Sequence, residues 1–347
     1  MSSQLYIRHG LKSGVPFNFS ATRIDLYRPI SQHTSSMTNV PQAKLNTGAT
    51  IPLVGLGCWF GFPGGAAYQM VTKAIALGYR HIDTAAGYAN EEQVGQAIRD
   101  SGIPRSEFFI TTKLANESHH KVSAAIDTSL ANLGMDYVDL YLIHWPQASV
   151  DGKVLQPDES PTINDTWAEM EKVYASGKAK AIGVSNFSVK SLERLAKTQK
   201  IVPAADQIEM HPFLPQNELK AYCDAKGIHL TAYSPVGQPN EKSKGPSLLK
   251  NDFIVKLAEK YEATPGQILL SWGVQRETSV IPKSENEERL RKNITVVKLE
   301  DADFKAINEL HTQPGFHHSL LSYHGDGGVF GYTYEQLGWP FNGTCQC

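Results

Sequence analysis

An α/β fold, a (β/α)₈ barrel, is predicted by two features of the 347-residue sequence: eight short β-rich runs, and helical patterns between them. The runs are rich in β-branched and aromatic residues, and the stretches between them, such as 121–134 and 164–177, have apolar residues spaced about 3.6 apart. Eight such units over about 250 residues are typical of a barrel. The predicted strands are VGLGCW (54–59), YRHIDTA (79–85), FFITTKL (108–114), VDLYLIHW (138–145), AKAIGVSNF (179–187), PAADQIEMH (203–211), IHLTAYSPV (228–236) and TSVIPKS (278–284).

Two further elements frame these units. Residues 44–52 predict a β-hairpin, with a turn at Asn46-Thr47-Gly48, that closes the amino-terminal end of the barrel. Residues 301–310 predict an extra helix after the eighth unit. The alternative is a doubly wound sheet, because GLGCWFG (55–61) superficially resembles the dinucleotide-binding fingerprint. Phe60 stands where that fingerprint requires its third glycine, so the barrel is favoured.

The two ends of the chain differ in composition from the middle. Residues 1–36 contain four basic residues, several serines and a single acid, Asp25. This composition fits a mitochondrial presequence, but it lacks clear amphipathic periodicity, which favours a disordered extension or a translation start near Met37. We therefore predict a disordered extension over 1–40, the barrel over 41–313 and an ordered C-terminal loop over 314–347.

Charge and cysteine content exclude several classes of protein. The net charge is −2, and basic and acidic residues nearly balance, which argues against nucleic acid as a partner. No run of eighteen apolar residues is present, so a membrane span is not expected. Four cysteines are too few and too poorly spaced for a disulfide scaffold or a zinc site, and a reducing compartment fits best.

Three ionisable residues stand at the predicted carboxyl ends of successive strands, where barrels of this class place their chemistry. They are Asp83 on strand two, Lys113 on strand three and His144 on strand four. Because an unpaired buried charge is costly or shifts its pKa, we expect the three side chains to meet in the barrel mouth. Each alone could be a satisfied structural polar group, but their common register favours a shared site.

Tyr88 lies in the loop after strand two and supplies the proton donor that the three residues lack. The following helix is predicted to begin with Asn90 as N-cap and Gln93 as its capping-box partner. A phenol ordinarily ionises near pH ~10, and an adjacent Lys113 ammonium, held by Asp83, should bring its pKa closer to neutrality. A proton delivered to an oxygen that gains negative charge is what carbonyl reduction requires when a cofactor supplies the hydride.

Six motifs carry a resemblance to a known family. GYRHIDTAAGY, LYLIHWP, GVSNF, QIEMHP, AYSPVG and IPKS, between about residues 44 and 312, resemble those of the aldo-keto reductases in content and order. The resemblance implies a (β/α)₈ barrel that reduces carbonyl groups with NADPH. It also implies a catalytic tetrad of Asp83, Tyr88, Lys113 and His144, the four residues already singled out.

The same resemblance implies the residues that bind NADP(H). Lys292 departs from the family pattern, in which many members have an acid that contacts the adenine amino group. The implied preference is for NADPH over NADH, because cations would face the adenosine 2′-phosphate. The implied contacts are Ser185, Asn186 and Gln207 for the carboxamide, Tyr233 for the nicotinamide ring, Ser234 and its following loop for the pyrophosphate, and Lys283, Ser284, Arg289 and Asn293 for the adenosine phosphate and adenine.

The family resemblance implies fewer residues for the substrate pocket than for the cofactor site. Trp59 and Trp145 match aromatic pocket walls of the family, next to His144. The tail resembles those of fungal members of the glycerol dehydrogenase and glyceraldehyde reductase kind, in which it folds over the barrel mouth, so that Phe330, Tyr332 and Trp339 are pocket candidates. The pairs His119-His120 and His317-His318 are interpreted as surface residues rather than metal ligands, and no metal is expected.

The predicted function is NADPH-dependent reduction of aldehydes, small ketones or sugars, with oxidation of polyols such as glycerol in reverse. We expect a monomer in the cytoplasm, or in mitochondria if residues 1–36 act as a presequence. Two alternatives remain: a cofactor-sensing barrel subunit that regulates a protein partner with little turnover, and an unrelated barrel lyase or isomerase that needs no cofactor.

Overall fold

The chain is described by a computed structural model over residues 40–60, 65–238, 247–325, 327–342 and 347. The predicted extension over residues 1–40 therefore lies, apart from Val40, outside the described residues. The strands are β1 Gln42–Lys44, β2 Thr50–Pro52, β3 Leu56–Gly57, β4 His81–Asp83, β5 Phe109–Leu114, β6 Leu140–Ile143, β7 Ser149–Val150, β8 Lys153–Val154, β9 Ile182–Ser185, β10 Ala205–Glu209, β11 His229–Tyr233, β12 Ser279–Val280, β13 Gly328–Val329 and β14 Tyr332–Thr333.

Eight of these strands form one parallel sheet in the order β3-β4-β5-β6-β9-β10-β11-β12. The first and last strands meet through a parallel bridge between Val54 and Val280, where the Gly55 amide donates to the Val280 carbonyl at 2.9 Å. Each predicted run contains one barrel strand, and the strand order never reverses. The (β/α)₈ barrel is therefore confirmed, and the doubly wound alternative is wrong.

The amino-terminal end of the barrel is plugged by the antiparallel hairpin β1–β2. Leu45 and Ile51 of the hairpin are buried and pack in one apolar cluster with Phe109, Leu140 and Ala205, which lie at or near the first residues of barrel strands. Burial of these side chains favours closure at this end. A ligand can therefore enter the barrel only at the opposite mouth, where the strands end.

A layer of helices surrounds the sheet, and the main core fills the space between the two. One helix or helix pair follows each barrel strand, α7 and α8 both follow β11, and α10 is the predicted extra helix. The helices are α1 Ala67–Ala76, α2 Glu91–Asp100, α3 Val122–Leu133, α4 Ile163–Ala175, α5 Val189–Leu195, α6 Asn217–Lys226, α7 Asp252–Lys260, α8 Pro265–Gln275, α9 Glu287–Asn293, α10 Asp301–Asn308 and α11 Tyr334–Leu337, with 3₁₀ turns at Ala86–Tyr88, Arg105–Glu107, Asn116–Lys121, Leu248–Lys250 and Leu310–Thr312. None of the helices in these described ranges is long and apolar enough to cross a membrane.

The capping box predicted for α2 is wrong. Asn90 is the N-cap residue, but its side chain accepts no hydrogen bond from the helix. Instead its Oδ1 accepts from the Thr84 hydroxyl (2.7 Å) and its Nδ2 donates to the Cys58 carbonyl (2.8 Å). Asn90 is buried, and the polar groups at the ends of β3 and β4 would otherwise lack hydrogen-bond partners. The Asn90 side chain therefore bonds to these groups and does not cap the helix.

The C-terminal tail has more regular structure than the predicted loop. It contains the antiparallel hairpin β13–β14 and the short helix α11, which begins with a capping box between Thr333 and Gln336. Val329, Tyr332, Tyr334 and Leu337 of the tail are buried in one cluster with Trp145 of the barrel mouth. The tail therefore lies against the mouth, as the family resemblance implies.

Candidate active site

Asp83, Lys113 and His144 converge because neighbouring parallel strands end together. Asp83 is the last residue of β4, Lys113 is the penultimate residue of β5, and His144 directly follows β6. The neighbouring pairs β4–β5 and β5–β6 are in continuous parallel register. The three positions therefore share one rim of the barrel, as their sequence register predicts.

Lys113 lies at the centre of this group. Its Nζ lies 2.6 Å from Asp83 Oδ1 and donates to the Thr84 carbonyl at 2.8 Å and to the Tyr88 hydroxyl at 3.3 Å. Burial alone would lower the pKa of this ammonium, but the Asp83 charge, Tyr88 and the two side-chain hydrogen bonds outweigh burial and raise it. Lys113 is therefore a fixed buried cation, matched by one buried carboxylate.

Tyr88 reaches this cation from the one-turn 3₁₀ helix Ala86–Tyr88, which ends at Ala89 in the left-handed region (φ 51°). Burial raises the pKa of Tyr88, and the opposing effect of the Lys113 charge does not cancel it, so the pKa lies above its ordinary value. Our expectation of a lowered pKa is therefore wrong for this structure. Tyr88 is a protonated phenol that can donate, beside a cation that can stabilise the phenolate left behind.

His144 faces the same space as Tyr88. Their ring centres lie 5.5 Å apart in an edge-to-face arrangement. Burial, with the nearby Lys113 charge as a second cause, holds the pKa of His144 well below its ordinary value. A neutral imidazole can donate one hydrogen bond to a substrate oxygen without itself supplying the proton.

A second set of polar residues lies at the end of β9, directly after it and on β10. Ser185 Oγ donates to the Gln207 carbonyl (2.7 Å), and Asn186 Nδ2 donates to the His144 carbonyl (2.9 Å). Gln207 Nε2 donates to Asp83 Oδ2 at 2.6 Å. Asn186 and Gln207 are thus bonded directly to the tetrad, and Ser185 is linked to it through Gln207.

Tyr233, the last residue of β11, lies next to that set. Its hydroxyl donates to Asn186 Oδ1 (2.7 Å) and lies 2.8 Å from the hydroxyl of Tyr323 in the tail. Asn186 and Ser234, which follow the ends of two strands, both have left-handed backbone, with φ 66° and 48°. Such strain in residues other than glycine concentrates at functional sites. Ser234 is half-buried, and residues 239–246 of the loop implied to cover the pyrophosphate lie outside the described residues.

A third set lies after β12 and on α9. Arg289 Nε donates to Ser284 Oγ at 3.2 Å, while Lys283 Nζ pairs with Glu285 and lies 4.3 Å from the centre of the Phe60 ring. Lys283 and Arg289 are exposed, so a phosphate can reach both cations, whereas Ser284 is buried. Asn293 ends α9, and no side-chain hydrogen bond joins it to these residues within the described ranges.

The donor chemistry of these sets fits NADP(H). One end offers amide and hydroxyl groups beside the half-exposed ring of Tyr233, which suits a planar carboxamide. The other end offers two exposed cations, one of which is hydrogen-bonded to the buried Ser284 hydroxyl, and this pair of positive charges suits a phosphate dianion. Both lie along the same barrel mouth as the tetrad.

Aromatic side chains border the tetrad. Trp59 lies 5.0 Å from the Tyr88 ring and is 40 % exposed, and Trp145 lies 6.4 Å from the His144 ring. Phe330 of the tail packs edge-on to Trp145 at 4.9 Å and is 48 % exposed, whereas Tyr332 is buried within the tail's own cluster. Trp59 and Phe330 are therefore exposed at the mouth, while Trp145 is buried between His144 and the tail.

The interpretation of the paired histidines as surface residues is wrong for two of the four. His119 is buried and its Nδ1 lies 3.2 Å from the Thr166 hydroxyl, and His318 is buried against Phe213. Across the described ranges, no group of three or more His, Cys, Asp or Glu side chains is placed to hold a metal ion.

One part of the site was missed from the sequence: a buried polar network that fastens the tail. Glu209, at the end of β10, accepts from the Ser319 hydroxyl (2.6 Å), the Leu320 amide (2.9 Å) and His211 Nε2 (2.9 Å). Glu209 ends a strand just as Asp83 does, and that register could have marked it. Its tail partners Ser319 and Leu320 carry no local sequence pattern that reveals them, and neither does Tyr323, which bonds to Tyr233.

Comparison with known proteins decides the family. The sequence profile of the Aldo/keto reductase family matches residues 54–312. The chain belongs to this family. The aldo/keto reductase chain is 46 % identical over 291 residues to "Glycerol 2-dehydrogenase (NADP(+))" of Saccharomyces cerevisiae, which covers 78 % of this chain and 91 % of the relative.

Two further matches agree with that assignment. "Aldehyde reductase YPR1" of the same yeast is 45 % identical over 288 residues, covering 77 % of this chain and 89 % of the relative. The solved structure of the aldose reductase from Schistosoma japonicum matches with a TM-score of 0.69 and 34 % identity, over 77 % of this chain and 91 % of that one. The family, and its barrel, are thereby confirmed.

Proposed function

We propose that this aldo/keto reductase reduces aldehydes, small ketones or sugars with NADPH, and oxidises polyols such as glycerol in the reverse direction. One observation carries the proposal: a buried ammonium, Lys113, lies between the Asp83 carboxylate and the Tyr88 phenol. The names of the yeast relatives, an NADP(+)-dependent glycerol 2-dehydrogenase and an aldehyde reductase, support the reaction class.

The reaction divides between cofactor and protein. NADPH, when bound by the residues named above, would supply the hydride that the carbonyl carbon receives. Tyr88 donates its proton to the carbonyl oxygen, and Lys113 stabilises the phenolate that results. Asp83 keeps Lys113 charged and fixed, and neutral His144 orients the carbonyl oxygen by a hydrogen bond.

The remaining predicted residues hold the reactants in place. Two observations support the proposed cofactor contacts. The polar residues lie along the same barrel mouth as the tetrad, and their hydrogen-bond donors and charges suit the carboxamide and the phosphate of NADP(H). Trp59 and Trp145 form the walls that surround the substrate carbonyl. The proposed cofactor residues are Ser185, Asn186 and Gln207 at the carboxamide, Tyr233 at the ring, Ser234 at the pyrophosphate, and Lys283, Ser284, Arg289 and Asn293 at the adenosine end.

A steady-state assay tests the activity. The purified chain is given NADPH and a panel of aldehydes, ketones and sugars that includes glyceraldehyde, and the loss of NADPH absorbance is followed. We expect turnover with at least one aldehyde, and oxidation of glycerol with NADP⁺ at alkaline pH. Tight NADPH binding with no turnover across the panel would contradict the proposal.

A charge substitution tests the cofactor preference. Lys283→Met should raise the Kd for NADPH about 10- to 100-fold, since one charge-assisted contact to the 2′-phosphate is lost. NADH has no such phosphate, and its Kd should stay the same. The matched control is Lys172→Met, an exposed lysine of α4 that pairs with Glu169 and belongs to none of the proposed sites, and it should change neither Kd by more than about twofold. Fluorescence titration measures all of these values, and equal affinities of the wild type for NADPH and NADH would overturn the preference.

We also propose that the chain is a monomer, to be tested by size-exclusion chromatography with light scattering. Cytoplasmic location is proposed as well, with mitochondria as the alternative. Imaging of a carboxyl-terminal fluorescent fusion, with and without residues 1–36, distinguishes the two compartments.

A further inference from the structure

A continuous line of hydrogen bonds runs from the tail to the catalytic rim. Tyr233 has a single hydroxyl proton, which it donates to Asn186 Oδ1 (2.7 Å). The 2.8 Å contact between the two phenols therefore requires Tyr323 to donate to Tyr233. Asn186 in turn donates from Nδ2 to the carbonyl of His144 (2.9 Å).

Tyr323 is held firmly on the tail side. Its ring stacks on Phe330 (5.6 Å, 22° between planes) and packs edge-on to Trp145 (5.6 Å). Upstream of Tyr323, the tail is fastened to Glu209 through Ser319 and Leu320. The phenol of Tyr323 is thus fixed both by aromatic packing and by an anchored backbone.

Tyr233 has less support of its own. Its ring is half-exposed, and its hydroxyl makes two side-chain hydrogen bonds, one to the barrel and one to the tail. Losing the tail bond would leave the ring held at its tip by Asn186 alone. The orientation of this ring therefore depends on the tail being closed.

We propose that Tyr323 is a positioning residue that couples closure of the tail to binding of the nicotinamide half of the cofactor. The proposal rests on the function proposed above, in which the ring of Tyr233 stacks on the nicotinamide. With the tail closed, Tyr323 fixes that ring in its binding orientation. By thermodynamic reciprocity, a nicotinamide stacked on the ring stabilises the closed tail to the same extent.

The first test is a double-mutant cycle on NADPH binding, measured by fluorescence titration. Tyr323→Phe keeps the ring but removes the donor, and it should raise the Kd about three- to tenfold, as expected for one hydrogen bond. In a Tyr233→Phe background, Tyr323→Phe should raise the Kd no further, because the acceptor is already gone. The matched control is Tyr332→Phe, a tail phenol with no hydrogen-bond partner in the described ranges, and its Kd should equal that of the wild type.

The second test measures the effect of cofactor binding on the tail, by hydrogen–deuterium exchange of residues 319–325. NADPH should slow exchange of these amides about fivefold or more in the wild type. It should leave them nearly unchanged in Tyr323→Phe and in Tyr233→Phe. Thermal melting of each variant confirms that it is folded before exchange is measured.

Either of two results would overturn the proposal: Tyr323→Phe binds NADPH as tightly as the wild type, or its effect persists undiminished in the Tyr233→Phe background. A general loosening of the tail would give the second result, since independent effects add. Failure of the wild type to bind NADPH would contradict the proposed function instead, so the two failures are distinguishable.

Discussion

Two buried carboxylates at strand ends, Asp83 and Glu209, have different roles in this barrel. Asp83 ends β4 and pairs with the buried ammonium of Lys113. Glu209 ends β10 and accepts hydrogen bonds from the tail and from His211. A carboxylate at the same kind of position thus organises a proton donor in one region and fastens a loop in the other, and its hydrogen-bond partners determine which role it has.

The largest effect should come from removing the cation of the catalytic region. Lys113→Met leaves the buried Asp83 charge without its ion pair, which should destabilise the fold by about 3–5 kcal/mol. It also removes the group that stabilises the Tyr88 phenolate, so kcat should fall at least about a thousandfold. Urea unfolding and steady-state kinetics measure the two effects.

Lys260→Met is the matched control for this change. Lys260 pairs with Glu300 and Asp303 at the surface, where solvent screens ion pairs and they contribute little to stability. It should leave kcat unchanged. If the two lysine variants were equally stable, the buried Lys113–Asp83 pair would contribute no more to stability than an ion pair at the surface.

A smaller effect is expected in the tail region. Glu209→Gln keeps the shape of the side chain but removes a charged acceptor from Ser319, Leu320 and His211, which should cost about 1–3 kcal/mol. The chemistry lies elsewhere, so kcat should change less than about fivefold. A loss of kcat as large as that of Lys113→Met would abolish the distinction between the two carboxylates.

The same carboxylate predicts a dependence of stability on pH. Burial alone would raise the pKa of Glu209, but hydrogen bonds from His211, Ser319 and the Leu320 amide, with the charge of His211, lower it below 4.5. A lowered pKa contributes stability above pH 4.5, which is lost as the pH falls from 4.5 through the folded-state pKa. The difference in unfolding free energy between wild type and Glu209→Gln should therefore shrink as the pH falls below 4.5. A difference that grows there would contradict a lowered pKa for Glu209.

The smallest effect should follow from Gln147→Met. Gln147 Nε2 donates to the Val329 carbonyl of the tail (2.8 Å), but its Oε1 is buried without a partner in the described ranges. Methionine removes both the donor that bonds to Val329 and the unsatisfied acceptor. Loss of the donor lowers the stability of the fold and loss of the acceptor raises it, so the two effects oppose each other. Chemical denaturation should show a change under about 1 kcal/mol, and a loss of more than that would mean that the tail depends on this single contact.

The contrast between the two regions also explains what the sequence could predict. Asp83, Lys113 and His144 sit on or directly after strands, where period-two burial and parallel register fix their position before any tertiary contact is known. The barrel, its hairpin and the extra helix follow from the same periodicities. The side chain of Asn90 could not be placed from the sequence, because it bonds to buried groups of Thr84 and Cys58, which directly follow β4 and β3.

The tail depends on contacts between residues far apart in sequence, which leave no local pattern. Ser319 reaches a carboxylate 110 positions away, and Tyr323 a phenol 90 positions away. The pKa of Tyr88 was predicted in the wrong direction for a related reason. The neighbouring cation could be inferred from register, but the depth of burial that outweighs it could not.

Single-turnover measurement of Tyr88→Phe tests the central claim most directly. The variant should bind NADPH within about twofold of the wild-type Kd, yet transfer hydride to glyceraldehyde at least about a thousandfold more slowly, because the proton donor is gone. Tyr68→Phe, which removes an exposed phenol on α1, should match the wild type in both respects. If Tyr88→Phe with bound NADPH keeps more than roughly a tenth of the wild-type rate, the phenol beside Lys113 is not the proton donor.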